Sequence, residues 1–437
     1  MPQNADRVSP YPMSPKSAST RAFRRSSARV IGRALAATFA FVLASTPIAH
    51  ASTLAPDESF GQAGSVTATP RSGGADVAAV ALGPGSIFLG GHAGGQGPAI
   101  IRFTDSGVPA EGWGTDGVLT VPPVYGPVGG DDFVAGLVTR ADGQLVGIHH
   151  IDRGTEVERP MACPVQYTPR GELDSAFKAR CLSWDHVAGG VWSRHDSRLT
   201  LIGAGVDGRT VVAQLDRRGR PVKSFGHHGR VVLGPRWGTT WMRGDGDRLL
   251  LAGKQELALE SVSLRSGRAR RLGALAAQRE PDHPILVAAI FRVARKTLLE
   301  AFDIAHTQIF TTRFNADGQV DRRYGRGGIA ATRRLGAGWV QAGVARLGEL
   351  LVVQVGPEQT SGQTCSKPLR VVAVGQSGRN DRQFGTGGIE PLPRTLGCGD
   401  SQVAGVQTDA QRRLVIAGMA QQPDGTNAFF VDRFALS

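Results

Sequence analysis

The sequence predicts an all-β chain: a single seven-bladed β-propeller closed by pairing of its N-terminal and C-terminal strands. Three observations predict it. An apolar strand start recurs seven times at a near-constant period. A turn carrying an aromatic residue and two glycines recurs between the copies. The two ends of the array are complementary halves of one copy.

The strand starts are Ile87, Leu145, Leu199, Leu249, Leu298, Leu350 and Leu414, spaced 58, 54, 50, 49, 52 and 64 residues apart. Periods of this size mark an array of one supersecondary unit. Gly85, Gly143, Gly246 and Gly348 stand in the turns before these strands, as tight hairpins require. The aromatic turn reads Phe60-Gly61-Gln62-Ala63-Gly64, Trp113-Gly114-Thr115-Asp116-Gly117 and Phe225-Gly226-His227-His228-Gly229. It returns as Tyr324-Gly325-Arg326-Gly327-Gly328 and Phe384-Gly385-Thr386-Gly387-Gly388. Leu173-Asp174-Ser175-Ala176-Phe177 keeps the aromatic but not the glycines, and a degenerate copy is expected near Arg271-Leu272-Gly273. A further apolar strand precedes each turn motif, as in Ala99-Ile100-Ile101-Arg102-Phe103 and Ile309-Phe310-Thr311-Thr312-Arg313-Phe314.

Each copy therefore holds four short strands with no helical period. A lone four-stranded sheet exposes both faces and both edges, and radial packing of sheet on sheet covers them. Small residues in Val77-Ala78-Ala79-Val80-Ala81, Val134-Ala135-Gly136-Leu137 and Gln341-Ala342-Gly343-Val344-Ala345 place these strands at the crowded axis. The array opens on a turn motif with no strand before it and ends on Phe429-Phe430-Val431-Asp432-Arg433-Phe434, with no turn motif after it. Strand 64–69 is accordingly expected to pair with strand 428–434 and complete the last blade.

The order of strand, turn and aromatic-glycine motif resembles the delta-60 repeat, a bacterial β-propeller repeat. The matching segments include Arg313-Phe314-Asn315-Ala316-Asp317-Gly318 through Gly328, and Ala141-Asp142-Gly143-Gln144-Leu145-Val146. The resemblance covers residues 56–437. It implies a propeller and no catalytic residue.

Residues 1–51 read as a secretory signal peptide, with the propeller over 52–437. Arg21, Arg24, Arg25, Arg29 and Arg33 precede an apolar stretch from Ala34 to Ala44, and the small-residue pattern Ala49-His50-Ala51 follows. The stretch is shorter than the roughly 20 residues a membrane-spanning helix needs. An uncleaved anchor and a twin-arginine signal at Arg24-Arg25 are the alternatives. Residues 1–51 hold seven of the 50 Lys and Arg and one of the 37 Asp and Glu, leaving 43 against 36 and a net charge of +7. That mild basicity favours acidic partners only weakly. With no clustered basic stripe, nucleic acid is not the expected partner. Gly is about twice as frequent as in average proteins, which suits a fold of many turns.

The four cysteines of an exported chain are expected in disulfides. Strand alternation puts Cys163 and Cys181 at one face of the second blade, and Cys365 and Cys398 at one face of the sixth. The expected pairs are therefore Cys163–Cys181 and Cys365–Cys398, tying down the insertions Ile151–Ala162 and Gly356–Gln363. Four reduced thiols are the alternative.

Other motifs carry bland readings. Gly203-Ala204-Gly205-Val206-Asp207-Gly208 matches GxGxxG, but a strand follows where a dinucleotide site needs a helix. Arg243-Gly244-Asp245 coincides with a hairpin turn. His149-His150-Asp152 and His227-His228 lack further ligands at metal spacing. Trp184-Asp185-His186 and Arg194-His195-Asp196 form a second polar grouping. The functional expectation is a secreted, monomeric, non-catalytic module with no cofactor or metal, binding a protein or glycan and having no membrane span after signal cleavage. The alternatives are a structural surface component and a propeller lyase or glycosidase using Asp131, Asp132, His149 and Glu156.

Overall fold

The computed structural model describes residues 53–69, 75–93, 97–121, 132–151, 160–193, 197–234, 241–252, 257–275, 285–303, 307–335, 339–347, 350–357, 367–396, 402–422 and 424–437. The expected signal segment, residues 1–51, lies outside them. Among the described residues, no helix is long and apolar enough to cross a membrane.

The elements are strands. The chain opens with β1 (Leu54–Pro56) and β2 (Ser65–Ala68). Sheet I then holds β3 (Ala75–Gly83), β4 (Ser86–Ala93), β5 (Gly97–Thr104) and β6 (Val118–Thr120). Sheet II holds β7 (Phe133–Thr139), β8 (Leu145–Ile151) and β9 (Met161–Tyr167). Sheet III runs through β10 (Trp184–Trp192), β11 (Leu199–Gly205), β12 (Thr210–Leu215) and β13 (Arg230–Val232). Sheet IV is β14 (Trp241–Asp245), β15 (Arg248–Ala252), β16 (Leu257–Ser263) and β17 (Ala269–Leu275). Sheet V is β18 (Ile285–Val293), β19 (Lys296–Asp303), β20 (Gln308–Phe314) and β21 (Ile329–Ala331). Sheet VI is β22 (Trp339–Leu347), β23 (Leu350–Pro357), β24 (Lys367–Val374) and β25 (Ile389–Leu396). Sheet VII joins β26 (Gln402–Thr408), β27 (Leu414–Gln421) and β28 (Asn427–Leu436) to β1 and β2.

All seven predicted strand starts lie in the second strands of these sheets. First strands of successive sheets touch in turn, and β26 touches β3. A hydrophobic cluster fills each sheet-to-sheet interface, from Phe88, Trp113 and Tyr167 between I and II to Val371, Leu414 and Phe430 between VI and VII. Packing on both sides explains why β11 and β12 are apolar and buried almost throughout. β7, at the axis, alternates between buried and half-buried residues instead. The architecture is an all-β propeller.

The ring closes as the ends of the sequence suggest. β2 pairs antiparallel with β28, Ser65 opposite Asp432 and Ala68 opposite Phe429. The structure adds a second contact that the repeat did not announce: β1 pairs with the last residues of the same edge, Pro56 opposite Phe434 and Leu54 opposite Leu436. Arg433 is 1% exposed in this closure. Its Nε donates to Asp57 at 2.8 Å and its Nη1 to Asp105 at 2.9 Å, and its guanidinium lies 4.4 Å over the Phe60 ring.

Two copies depart from the expectation of four strands built alike. Among the described residues sheet II has three strands, five sheets have four, and sheet VII has β1 and β2 along one edge of its other three. In five copies the residue after the turn aromatic takes positive φ and is Gly: Gly61, Gly114, Gly226, Gly325 and Gly385. In sheet II that position is Lys178. Without a glycine to reverse the chain, the segment after β9 makes isolated bridges, Tyr167 with Leu173 and Ala162 with Leu182, in place of an outer strand. In sheet IV, Arg271-Leu272-Gly273 lie inside β17 and not in a turn. A short turn around Gly267 joins β16 directly to β17, so no aromatic motif intervenes.

Candidate binding face

The first strands begin at one end of the ring, and the loops joining second to third strands leave from the same end. At that end six of the seven first strands carry a register shift against their partner. The shifts fall between Val77 and Ala79, Val134 and Gly136, Val187 and Gly189, Val287 and Ala289, Gln341 and Gly343, and Val403 and Gly405. The residue passed over is an alanine each time: Ala78, Ala135, Ala188, Ala288, Ala342 and Ala404. A bulge bends a strand, increases its twist and takes one residue out of the ladder. Close packing keeps the next residue small, Gly or Ala in all six. A Cβ on Gly343 would lie 2.6 Å from Val406 of the next first strand, and one on Gly405 would lie 3.0 Å from Val80. The sequence shows the small residues of this motif, but their meaning as bulges needs the partner strand. β14 has no such shift. Across the seam between sheets I and VII, Gln402 Nε2 donates to Asp76 at 2.7 Å, a contact no motif indicated.

The bridge Cys163–Cys181 forms as expected, with Cα atoms 4.1 Å apart. Cys163 stands near the start of β9, so the bridge sits at the base of the loop joining β8 to β9. It holds the Lys178–Leu182 segment where an outer strand would otherwise run. By the loop-entropy estimate a link of this span is worth about 3 kcal/mol. Cys365 and Cys398, the other expected pair, lie outside the described residues.

His149 faces the interior. It sits opposite Cys163 in the β8–β9 ladder and is buried, its Nε2 3.0 Å from the Tyr167 hydroxyl. Burial lowers its pKa from 6.5 to about 4. The neutral ring is therefore the folded form, and the unfolded chain binds the extra proton. Stability from this group is complete above pH 6.5 and is lost as pH falls towards 4, by about 3 kcal/mol in total. Urea unfolding at pH 7 and pH 4.5 should show this loss, and His149→Phe should remove most of it. An equal pH slope in the variant would show that the ring titrates in solvent.

The remaining candidates that are described lie apart from one another. Asp132 is buried just before β7, and His150 packs its ring 5.1 Å from Phe133. Asp185 and His186 are exposed near the start of β10, whereas Trp184 is buried between sheets II and III. His227 and His228 stack edge to face at 4.3 Å in an exposed turn. Asp131, Asp152, Glu156 and Arg194-His195-Asp196 lie outside the described residues. Among the described residues, no group of three His, Cys, Asp or Glu could hold a metal ion. The glycines of Gly203–Gly208 form the end of β11 and its hairpin to β12, with no helix. Arg243, Gly244 and Asp245 are the last residues of β14, paired with Leu250, Leu249 and Arg248, and the turn follows them. The tripeptide is thus strand, not turn.

No family model matches the chain, and no curated protein matches it. Solved structures of similar shape include the AfRom2 CNH domain, at 10% identity and TM-score 0.46 over 84% of this chain and 98% of that one. A chain of the mitotic checkpoint complex matches at 14% identity and TM-score 0.49, over 92% and 98%. A prolyl endopeptidase matches at 12% identity and TM-score 0.47, over 82% of this chain and 50% of its own. At these values they do not bear on activity, and the propeller stands on the strand pairing described above.

Proposed function

We propose that the chain is an exported, non-catalytic propeller of delta-60-type repeats that binds a protein or glycan through its bulged face. In this reading the three-stranded sheet II serves as the seventh blade, its missing outer strand replaced by the disulfide. The observation that carries the proposal is the position of the Cys163–Cys181 bridge. It stiffens the base of the β8–β9 loop at the end of the ring where six first strands are bulged. β23 ends and β24 begins at the same end. Rigid elements that present variable loops are a recurrent design for recognition.

Glycan-array and cell-wall pulldown binding with the secreted protein tests the proposal. Replacing residues 153–158 by Gly and Ser should abolish capture while leaving the melting temperature within a few degrees. Capture unaffected by that replacement would move the site elsewhere. Release of shortened glycan from the array would favour the lyase or glycosidase reading.

A further inference from the structure

At the end of the ring opposite the bulged face, the turns from third to fourth strands form a continuous outer belt. Gly226 N donates to the Ser266 carbonyl at 2.9 Å, joining sheet III to sheet IV. Gly318 of sheet V sits against Leu272 of sheet IV, and Gly378 of sheet VI against Tyr324 of sheet V. Charge is divided unevenly along this belt. Residues 216–226 of sheet III carry four Lys and Arg against one Asp, and residues 264–268 of sheet IV two Arg and no acid. Residues 315–328 of sheet V carry three Arg against two Asp, and residues 375–388 of sheet VI two Arg against one Asp. Sheet II is balanced, two against two over residues 168–178. The matching turns of sheets VII and I, residues 57–64 and 105–117, hold five acids and no cation.

The eleven cations of sheets III to VI are exposed. Among the described residues, none of their side chains is engaged in a hydrogen bond or ion pair. The four acids among them are occupied. Asp216, Asp317 and Asp381 each accept from the backbone N–H two residues on, which closes their own turns. Asp321 is buried and accepts from Lys296 and Arg313. A surplus of guanidinium groups along four adjacent sheets raises the local concentration of anions. The acidic arc offers a second copy of the chain little in return, because Arg433 and Arg413 answer its Asp57 and Asp105.

We propose that this belt binds a flexible acidic polysaccharide, whose carboxylates pair with the arginines of sheets III to VI. Ten of the eleven cations are Arg, whose planar fork matches an oxyanion. The aromatics of these turns, Phe225, Tyr324 and Phe384, are buried, so the bases of a nucleic acid find no stacking surface. The outermost strands of a closed ring form a convex wall. A flat anionic membrane meets one or two sheets of that wall, whereas a flexible chain follows all four. The belt lies at the far end of the ring from the β8–β9 loop, so this site goes beyond the binding proposed for the bulged face and does not depend on it.

The test is binding of the full chain to fluorescein-labelled polygalacturonate, read by anisotropy, with uncharged dextran as the control. Raising NaCl from about 50 to about 300 mM should weaken binding at least tenfold, since the polymer releases its counterions on binding. The triple variant Arg322→Gln, Arg323→Gln, Arg326→Gln should weaken it at least tenfold. A second triple variant, Arg170→Gln, Arg209→Gln, Arg412→Gln, removes the same charge from exposed positions outside sheets III to VI of the belt and should leave affinity within twofold. Unfolding midpoints are measured for both. Replacing residues 153–158 should leave this binding intact, which separates the belt from the bulged face. No binding, equal binding of dextran, equal losses in the two triple variants, or tighter binding to a thymidine oligonucleotide or to phosphatidylglycerol vesicles would overturn the proposal.

Discussion

Deleting residues 53–68 should lower the stability of the protein by roughly 6 kcal/mol or more, because the segment completes sheet VII and neutralises a buried cation. It carries Phe60, fully buried against Ile87, Phe103 and Phe429. Loss of a core aromatic costs about 3–5 kcal/mol. It also carries Asp57, which accepts from Arg433 at 2.8 Å and from Arg413 at 3.1 Å. The carboxyl of Asp57 lies below its ordinary pKa. Burial pushes it up, and hydrogen bonds from Ser59 with the charge of Arg433 outweigh that. This part of the stability is present above the ordinary carboxylate range and is lost as pH falls through it. Asp57→Ala alone should cost about 2–3 kcal/mol, less than a wholly orphaned buried charge, because Asp105 still faces Arg433. Thermal and urea unfolding measure both changes. A deletion variant with an unchanged midpoint would mean that the ring holds without its closing strands.

The second large effect is expected at Gly378. The turn after β24 seats this residue, at φ 77°, against the aromatic turn of sheet V. A Cβ there would collide with the Tyr324 hydroxyl, Ala330 Cβ and Thr311 Oγ1. Gly378→Ala should therefore cost about 3–5 kcal/mol from strain and overpacking together. Gly387 provides the control. Its φ is 65° and nothing lies within 4 Å of its would-be Cβ, so Gly387→Ala should cost only about 1 kcal/mol of backbone strain. Equal losses at the two positions, read by urea unfolding, would show that the turns do not interlock. The same seating recurs where Gly107 meets Phe60 and Gly171 meets Trp113. The glycine turn after a third strand and the aromatic turn of the preceding sheet are thus two halves of one contact between neighbouring sheets.

The sheets were legible from the sequence because their signal is periodic and local. Strand starts such as Leu145 and Leu414 are apolar on both faces, and tight turns need glycine. Closure was legible because the Phe60 turn lacked a preceding strand and Arg433 lacked a following turn. The β1 pairing was not, since Leu54-Ala55-Pro56 carries no strand pattern of its own. Sheet II misled through Phe177, an aromatic that keeps its place although the residue that reverses the chain is gone. The direction of His149 was not legible either: it is on the expected strand but points between sheets, towards Tyr167.

The pairing of Ser65 with Asp432 joins positions 367 residues apart. Neighbouring strands elsewhere can form as soon as a few dozen residues are present, and the ring can grow sheet by sheet from such local steps. The last sheet cannot. Relative to closing a loop of about 60 residues, bringing these ends together costs roughly 1.6 kcal/mol more in chain entropy. The strands made first in synthesis therefore dock last. Until they do, β28 presents an unpaired edge with Phe429 and Phe430 beside it, which is the feature that recruits other chains into aggregates. Docking of these strands is therefore the expected slow step of refolding, and aggregation that competes with it should rise with protein concentration in refolding kinetics.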